Sequence, residues 1–245
     1  MPDLPASQLP VLALDTSTEQ IAIGLHSGAG SCTRLAPGGA LASARLLPEL
    51  KALLAEAGLA LSDLGAIAFG QGPGAFTGLR TACAVAQGLG FGLQRPLLPL
   101  DSLLIVAEDA RAQLGADEVE LGVVMDARMD EAYAARYRWR SGRWQVLSAP
   151  ALYSLPTLLA QWQGTPVQAL AGSALAAFGR RLLLPCDGPR LEKQHDRAAA
   201  LLRLAVRAVT DGAGVDAAAA LPLYLRDKVA QTTAERERAK AGAGA

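Results

Sequence analysis

The chain has 245 residues, of which 51% are hydrophobic, and its 23 basic side chains balance its 23 acidic ones. This length allows one large domain or two small ones. The zero net charge argues against a protein that binds nucleic acid through an overall positive charge, although it is compatible with a small basic patch. The three cysteines, Cys32, Cys83 and Cys186, form no CxxC pair, so neither a disulfide framework nor a zinc ribbon is indicated. The sequence has no signal-peptide pattern and no apolar run near the roughly 18 residues that span a bilayer, so we expect a cytoplasmic protein without membrane contact.

The first half of the chain is predicted to begin with a β-hairpin and to continue with alternating helices and strands. Residues 11–14 form an apolar run, residues 21–25 alternate as a second strand would, and the polar turn Asp15-Thr16-Ser17-Thr18 lies between them. The later elements follow from apolar spacing: a third strand near 33–35, a helix over 43–57, a strand over 66–69, a helix over 77–91, a strand that ends at 101 and a helix over 102–114.

The second half repeats this pattern. We predict three strands with turns near 128–131 and 141–143, a helix over 153–162, a short strand over 167–173 and a long helix over 195–212. The resulting fold class is α/β, with a first domain over 1–107, a second over 108–228, and a tail over 229–245 that is rich in Ala, Glu and Arg and expected to be disordered.

The densest motif is FGQGPGAFTGLRTA, residues 69–82, in which glycines lie between a predicted strand and a predicted helix. A phosphate-binding P-loop would need a lysine after its last glycine, whereas Leu79 and Arg80 follow Gly78. The spacing Gly70-x-Gly72-x-x-Ala75 fits a dinucleotide fingerprint only locally, because Pro73 interrupts it and the next acidic residue, Asp101, comes late. A structural turn is therefore favoured, with Thr77 as the helix cap, although free N–H groups at that helix start could still attract an anion.

Four blocks in this order closely resemble the TsaB (YeaZ) family of bacterial tRNA-modification proteins. They are LALDTSTEQIAIGL, GQGPGAFTGLRTACAVAQGLG, VMDARMDEAYAARY and PLYLRD, and together they extend over about residues 10–228. The resemblance implies two related actin-like (ASKHA, ribonuclease H-like) domains with mixed β-sheets flanked by helices. The motif residues that carry it are Asp15, Thr16, Ser17, Gly72, Pro73, Gly74, Thr77, Gly78, Arg80, Asp126 and Arg128.

The resemblance also implies a function. Proteins of this family support TsaD, the catalytic subunit that transfers a threonylcarbamoyl group to N6 of adenosine 37 in tRNAs reading ANN codons. The expected partners are TsaD, the ATPase TsaE in a ternary complex, and a second copy of the chain when TsaD is absent, while any tRNA contact would be indirect. No cofactor and no enzymatic activity are expected; the alternative is a stand-alone actin-like ATPase or a metallopeptidase-like enzyme.

The sequence agrees with a non-catalytic role, because Ser102 and Val106 stand about where TsaD-like proteins carry an HxxxH metal motif. The two histidines, His26 and His195, lie in different halves, and no cluster with metal-ligand spacing is present. We interpret Asp15-Thr16-Ser17 as a turn that bonds its own backbone, and Asp126 with Arg128 as a structural ion pair.

The second-half strands carry a group of arginines and aromatic residues that could contact RNA. Strand alternation places Arg136, Arg138 and Arg140 on one face and Tyr137 and Trp139 on the other, with Arg143 and Trp144 following. Stacking on RNA would need charge and aromatic rings together, so a solvated face over a buried aromatic face explains the pattern as well.

The helix that follows the glycine loop is apolar nearly all round, which predicts cover on both sides. Its own sheet can cover one side, and we expect the first helix and a partner's helix to cover the rest. The residues predicted to bind that partner are Leu46, Leu50, Leu53, Leu79, Ala82, Cys83, Ala86 and Gly90.

Overall fold

The computed structural model describes residues 9–226, which form two five-stranded mixed sheets flanked by helices. The strands of the first sheet are β1 (Val11–Asp15), β2 (Gln20–Ser27), β3 (Gly30–Pro37), β4 (Ala66–Gly72) and β5 (Leu97–Asp101). Those of the second are β6 (Val119–Asp126), β7 (Glu131–Arg140), β8 (Arg143–Ser154), β9 (Ala169–Ala171) and β10 (Arg190–Leu191). The helices are α1 (Ala42–Glu56), α2 (Phe76–Leu93), α3 (Ser102–Leu114), α4 (Leu155–Trp162), α5 (Ala174–Phe178) and α6 (Arg197–Thr210).

The two sheets share one topology. The first has the order β3-β2-β1-β4-β5 and the second, read from its other edge, β8-β7-β6-β9-β10. In each, the first three strands in the chain are antiparallel and the last two run parallel to the central strand. This repeated order is that of ribonuclease H-like domains, so the predicted fold class of two related actin-like domains is confirmed.

The elements stack in layers. Helices α1 and α2 cover the outer face of the first sheet, and α6 covers its inner face. Helix α3 packs on the inner face of the second sheet, whose outer face is covered by α4 and α5. Helices α3 and α6 contact each other, so they join the two halves between the sheets.

The chain crosses between the sheets more often than the sequence indicated. Helix α3 begins at Ser102, before the predicted boundary at residue 107, and packs largely on the second sheet. Helix α6 returns to the first sheet, and Val215 then pairs with Leu97 at its edge. A single division at residue 107 therefore separates the strands of the two sheets but not the helices that cover them. Residues 1–8 and the predicted tail over 229–245 lie outside the described residues.

Helix α2 is covered on both sides by its own chain. One side packs against the first sheet and α1, and the other meets the segment that follows α6. There Cys83 Sγ lies 3.5 Å from the Ala220 carbonyl oxygen, and Gln87 Nε2 donates to the same oxygen over 2.9 Å. The apolar residues from Leu79 to Ala86 that are buried on these two sides are thus covered within one chain.

This packing corrects the sequence-based choice of contact residues. The residues predicted to bind a partner are all buried in the interior of the single chain: Leu46, Leu50, Leu53, Leu79, Ala82, Cys83, Ala86 and Gly90. A charge at Ala86 would be placed inside the chain's own core rather than in an interface. Any partner surface on these helices must consist of their exposed residues.

Candidate functional site

The glycine loop packs directly on the polar turn after β1. A Cβ at Gly70 would overlap the Asp15 carboxylate, and one at Gly78 would overlap the Thr16 carbonyl oxygen. In return, the Thr16 hydroxyl donates to the Gly78 carbonyl over 2.6 Å, and the Ala75 N–H donates to the Ser17 carbonyl over 2.8 Å. The glycines therefore allow two backbone segments to touch, which supports the interpretation as a structural turn.

Details of the loop differ from the expectation. Helix α2 begins at Phe76 after Ala75, so Thr77 is not the cap; instead its carbonyl accepts from the Thr81 hydroxyl over 3.0 Å. Gly72 and Pro73 are joined by a cis peptide bond, and the Gly72 N–H donates to the Ser102 hydroxyl over 3.1 Å.

The Asp15 turn does more than bond its own backbone. Its carboxylate accepts from Arg197 Nε over 2.6 Å, and Arg197 also donates to the Ser17 hydroxyl over 2.9 Å. Both partners are almost fully enclosed, with 0% of the Asp15 side chain and 2% of the Arg197 side chain exposed. A buried carboxylate that is neutralised by its own chain's guanidinium is poorly placed to bind a magnesium ion or a water nucleophile.

A cleft of about 780 Å³ lies between the two halves, beside this ion pair. Pro73 and Gly74 of the loop, Asp126 of β6, and Lys193 and Gln194 before α6 are among its lining residues. Close by, at the start of α3, Asp101 accepts a hydrogen bond from the Tyr137 hydroxyl of β7. Burial raises the pKa of the Asp101 carboxyl above its ordinary value, while the hydrogen bond from Tyr137 opposes that rise.

A short segment after α6 binds both halves across this cleft. On the first half, the Leu223 N–H donates to the Gln71 carbonyl over 2.7 Å. The Tyr224 ring stacks 5.0 Å from that of Phe76, and its hydroxyl accepts from Arg80 Nε over 3.0 Å. The motif arginine Arg80 therefore holds this segment in place.

The same segment reaches the second half through Arg226. Its guanidinium forms an ion pair with Glu131 at 2.6 Å and donates to the Ala127 carbonyl over 2.9 Å. The PLYLRD block is therefore an interdomain strap, which we define as residues 222–226; Asp227 lies outside the described residues. This block was identified in the sequence, but nothing in the sequence indicated which residues it contacts.

The remaining motif positions have structural partners. Asp126 and Arg128 form the predicted ion pair at 3.5 Å, across the turn between β6 and β7. Ser102 and Val106 are buried, the first bonded to the glycine loop and the second within the second-sheet core. Among residues 9–226, no three His, Cys, Asp or Glu side chains converge as metal ligands, and no helix has the length and apolarity to cross a bilayer.

The predicted arginine face of β7 is held by ion pairs. Arg136 and Arg138 both bind Glu120, and Arg140 binds Glu118. Burial alone would raise the pKa of the Glu120 carboxyl, but hydrogen bonds from the two arginines outweigh it and the pKa is lowered. Tyr137 is buried on the opposite face, as the alternation predicted. This face agrees with the structural interpretation rather than with an RNA surface.

The outer face of α1 and α2 is exposed and largely apolar. Leu47 of α1 is 42% exposed, and Phe91 of α2 is 58% exposed. On α2, Gly88 and Gly92 are exposed, and a Cβ built on either would meet nothing within 4 Å. We call this surface the outer helical face; its exposed apolar residues are Ala44, Leu47, Pro48, Ala52, Ala55, Ala84, Gly88, Phe91 and Gly92, and the exposed Lys51 lies among those of α1.

Comparison with known proteins gives the family. The family model described as "TsaD: tRNA N6-adenosine threonylcarbamoyltransferase" matches residues 41–193. The tRNA threonylcarbamoyladenosine biosynthesis protein TsaB of Escherichia coli is 30% identical over 90% of this chain and 96% of its own length. The chain belongs to the TsaB (YeaZ) family.

Other TsaB relatives agree in sequence and in structure. TsaB of Haemophilus influenzae is 40% identical over 51% of this chain and 52% of its own length. The crystal structure of YeaZ from Pseudomonas aeruginosa is 37% identical, covers 89% of this chain and all of its own, and superposes with a TM-score of 0.79. The TsaB blocks recognised in the sequence thus correspond to packed features of one fold: the turn after β1, the glycine loop, the β6–β7 turn and the strap.

Proposed function

We propose that this chain is a non-catalytic subunit of the assembly that transfers a threonylcarbamoyl group to N6 of adenosine 37 in tRNAs reading ANN codons. In this proposal it binds and supports the TsaD subunit through its outer helical face. The ATPase TsaE joins the pair, and a second copy of this chain occupies the face when TsaD is absent. Membership of the TsaB family, whose curated members are named for threonylcarbamoyladenosine biosynthesis, supports the pathway.

The observation that carries the binding surface is the pair of glycines on α2. A glycine in the middle of a helix costs about 1 kcal/mol relative to alanine. Contacts within the chain explain why other positions in this region are glycine. At Gly90, for example, a Cβ would crowd Leu97 and Ala217. A Cβ added at Gly88 or Gly92 would meet nothing within 4 Å beyond the helix's own backbone, and neither residue has a positive φ, so no contact in the described chain requires a glycine at these positions. Close approach of a partner helix would require them.

The flanking residues have the chemistry of an interface centre. Leu47 and Phe91 are large, apolar and about half exposed. Apart from Lys51, the charged residues of α1 lie at the edge of this surface, where Arg45 binds Glu49. Stable interfaces combine an apolar, closely packed centre with a polar rim. Helices α1 and α2 are in contact, so their exposed residues form one continuous surface.

The cleft supports the non-catalytic part of the proposal. The Asp15 carboxylate, which lies where actin-like ATPases place a phosphate-facing hairpin, is neutralised by Arg197. The strap closes over the same region and joins its two sides. Both features favour a rigid body that presents a surface over an enzyme that opens and closes around a nucleotide.

We expect Gly88→Leu to abolish binding of the host's TsaD without unfolding the chain. Space around Gly88 is open in the single chain, so the leucine fits the monomer, but it would hold a partner helix several ångströms away. Co-purification of tagged TsaD with the variant measures this. The matched control is Ala160→Leu, on an exposed position of α4 in the second half. Wild-type affinity of a folded Gly88→Leu variant would place the interface elsewhere.

Depletion of the protein in its host should lower threonylcarbamoyladenosine in tRNA, because the catalytic subunit would lose its support. Nucleoside mass spectrometry of bulk tRNA measures the modification, and re-expression of the wild-type chain should restore it. The Gly88→Leu variant should not restore it, whereas Ala160→Leu should. An unchanged modification level in a depleted strain that carries a single gene copy would contradict the proposal.

A further inference from the structure

A second cavity of about 780 Å³ lies away from the cleft, where α6 passes beneath the β7–β8 hairpin. Its wall is formed by Trp139 and Trp144 of the hairpin, by Arg111 of α3, and by Arg203 and Arg207 of α6. Strand β2 and the edge strand β3 complete it with His26 and Thr33. This volume lies within the range of small-molecule sites in proteins. None of the family motif residues lines it.

The cavity has more positive than negative charge. Four arginines line it, namely Arg111, Arg143, Arg203 and Arg207, against two carboxylates, Glu108 and Asp211. The whole chain, by contrast, has zero net charge. The excess is therefore local, and it favours an anionic occupant.

The two carboxylates do not neutralise all four arginines. Glu108 is buried and binds both Arg111, at 2.9 Å, and Arg203, at 2.5 Å. Burial alone would raise the pKa of its carboxyl, but these hydrogen bonds outweigh it and the pKa is lowered. Within residues 9–226, the Arg207 guanidinium donates only to the Gly142 carbonyl, and the Arg143 side chain has no hydrogen-bond or ion-pair partner. Two guanidinium groups therefore remain for a ligand.

Flat groups lie beside these cations. The rings of Trp139 and Trp144 are 5.2 Å apart, and the guanidinium groups of Arg111 and Arg207 lie 4.7 Å and 5.1 Å from the Trp139 ring centre. The Trp144 indole N–H is fixed by Glu108 over 3.0 Å. Aromatic rings and guanidinium planes are the surfaces on which proteins stack unpaired bases.

We propose that this cavity binds a nucleotide, with its phosphate on Arg143 and Arg207 and its base against the Trp139–arginine layer. Guanidinium groups bind phosphate in a bidentate manner, and the layered ring and guanidinium supply a planar contact for a base. The nucleotide is either free or part of a single-stranded RNA segment, since both present the same chemistry. The cavity is separate from the outer helical face, so the proposal of a nucleotide site can be tested independently of the proposal that the chain binds TsaD.

The site contains two of the chain's three tryptophans, so fluorescence titration of the full chain reports on it directly. The probes are AMP, a six-nucleotide single-stranded RNA and inorganic phosphate. We expect saturable quenching by AMP, by the RNA or by both, and at least a tenfold weaker response in Arg143→Glu. Because Arg143 is exposed and unpaired within the described residues, that variant should remain folded, which circular dichroism checks.

The matched control is Arg180→Glu, at a single exposed arginine of the second half that does not line the cavity, and it should retain the response. Response to AMP identifies a free-nucleotide site, and response to the RNA alone identifies a strand-binding site. Absence of quenching by both nucleotide probes would overturn the proposal. Competition by inorganic phosphate at the same concentration as AMP would also overturn it, because it would indicate an adventitious ion only. An unchanged response in the Arg143→Glu variant would overturn it as well.

Discussion

Replacement of Arg197 by methionine is expected to lower the free energy of unfolding by about 3–5 kcal/mol, the usual cost of leaving one member of a buried ion pair alone. Arg197 donates to both the Asp15 carboxylate and the Ser17 hydroxyl, and no more than 5% of any of these three residues is exposed. In the variant, the Asp15 carboxylate would be buried without its cation. Denaturant unfolding, followed by far-ultraviolet circular dichroism, measures the change.

The control for this prediction is the double variant Asp15→Asn/Arg197→Met, which leaves no buried charge unpaired and should recover part of the loss. Arg203→Met, on the exposed side of the same helix, removes an equal charge and should cost far less than Arg197→Met. A loss below about 1 kcal/mol for Arg197→Met would mean that the ion pair does not hold the turn after β1.

Gly78→Ala is expected to prevent stable folding or to cost more than about 3 kcal/mol, the upper range for overpacking a filled site. The added methyl group would overlap the Thr16 carbonyl oxygen, which is backbone and cannot rotate away. The shift would also break the 2.6 Å hydrogen bond from the Thr16 hydroxyl to the Gly78 carbonyl. Expression level and the thermal unfolding midpoint measure the effect.

The same substitution ten positions further along α2, at Gly88, provides an internal control whose expected effect on stability has the opposite sign. Gly88→Ala adds a methyl group to open space in the same helix, so it should stabilise the chain by up to about 1 kcal/mol through helix propensity. Equal destabilisation by both substitutions would contradict the assignment of Gly78 to the contact between the glycine loop and the turn after β1.

Much of the secondary structure could be predicted from local pattern. The sequence placed α3 at residues 102–114, where the structure has it, and it placed the opening hairpin and the three strands of the second half correctly. These elements are strongly periodic and bounded by polar turns, so their own residues suffice. The sheet that α3 and α6 each cover was harder to predict, because α3 is buried on nearly all sides and nothing in the local pattern of either helix says which sheet it packs on.

The candidate site shows the same difference between local contacts, which the sequence predicted, and long-range contacts, which it did not. The sequence predicted that the glycine loop is a turn and that Asp126 pairs with Arg128, since the turn and the ion pair are each formed by residues close together in the chain. It did not reveal the pairing of Asp15 with Arg197, which joins residues 182 positions apart. It also assigned the apolar face of α2 to a partner, because the covering residues, Ala217 and Ala220, come from the far end of the chain.

The sequence by itself determined the family, the repeated strand and helix pattern, and the places where glycine is needed. Only the tertiary structure decided which apolar residues are internal, which glycines remain open to a partner, and that the Asp15 carboxylate is neutralised from within. The physical reason is that burial and charge pairing depend on contacts between distant segments. The helical periodicity predicts that a residue such as Ala86 is buried, but it does not predict which segment buries it.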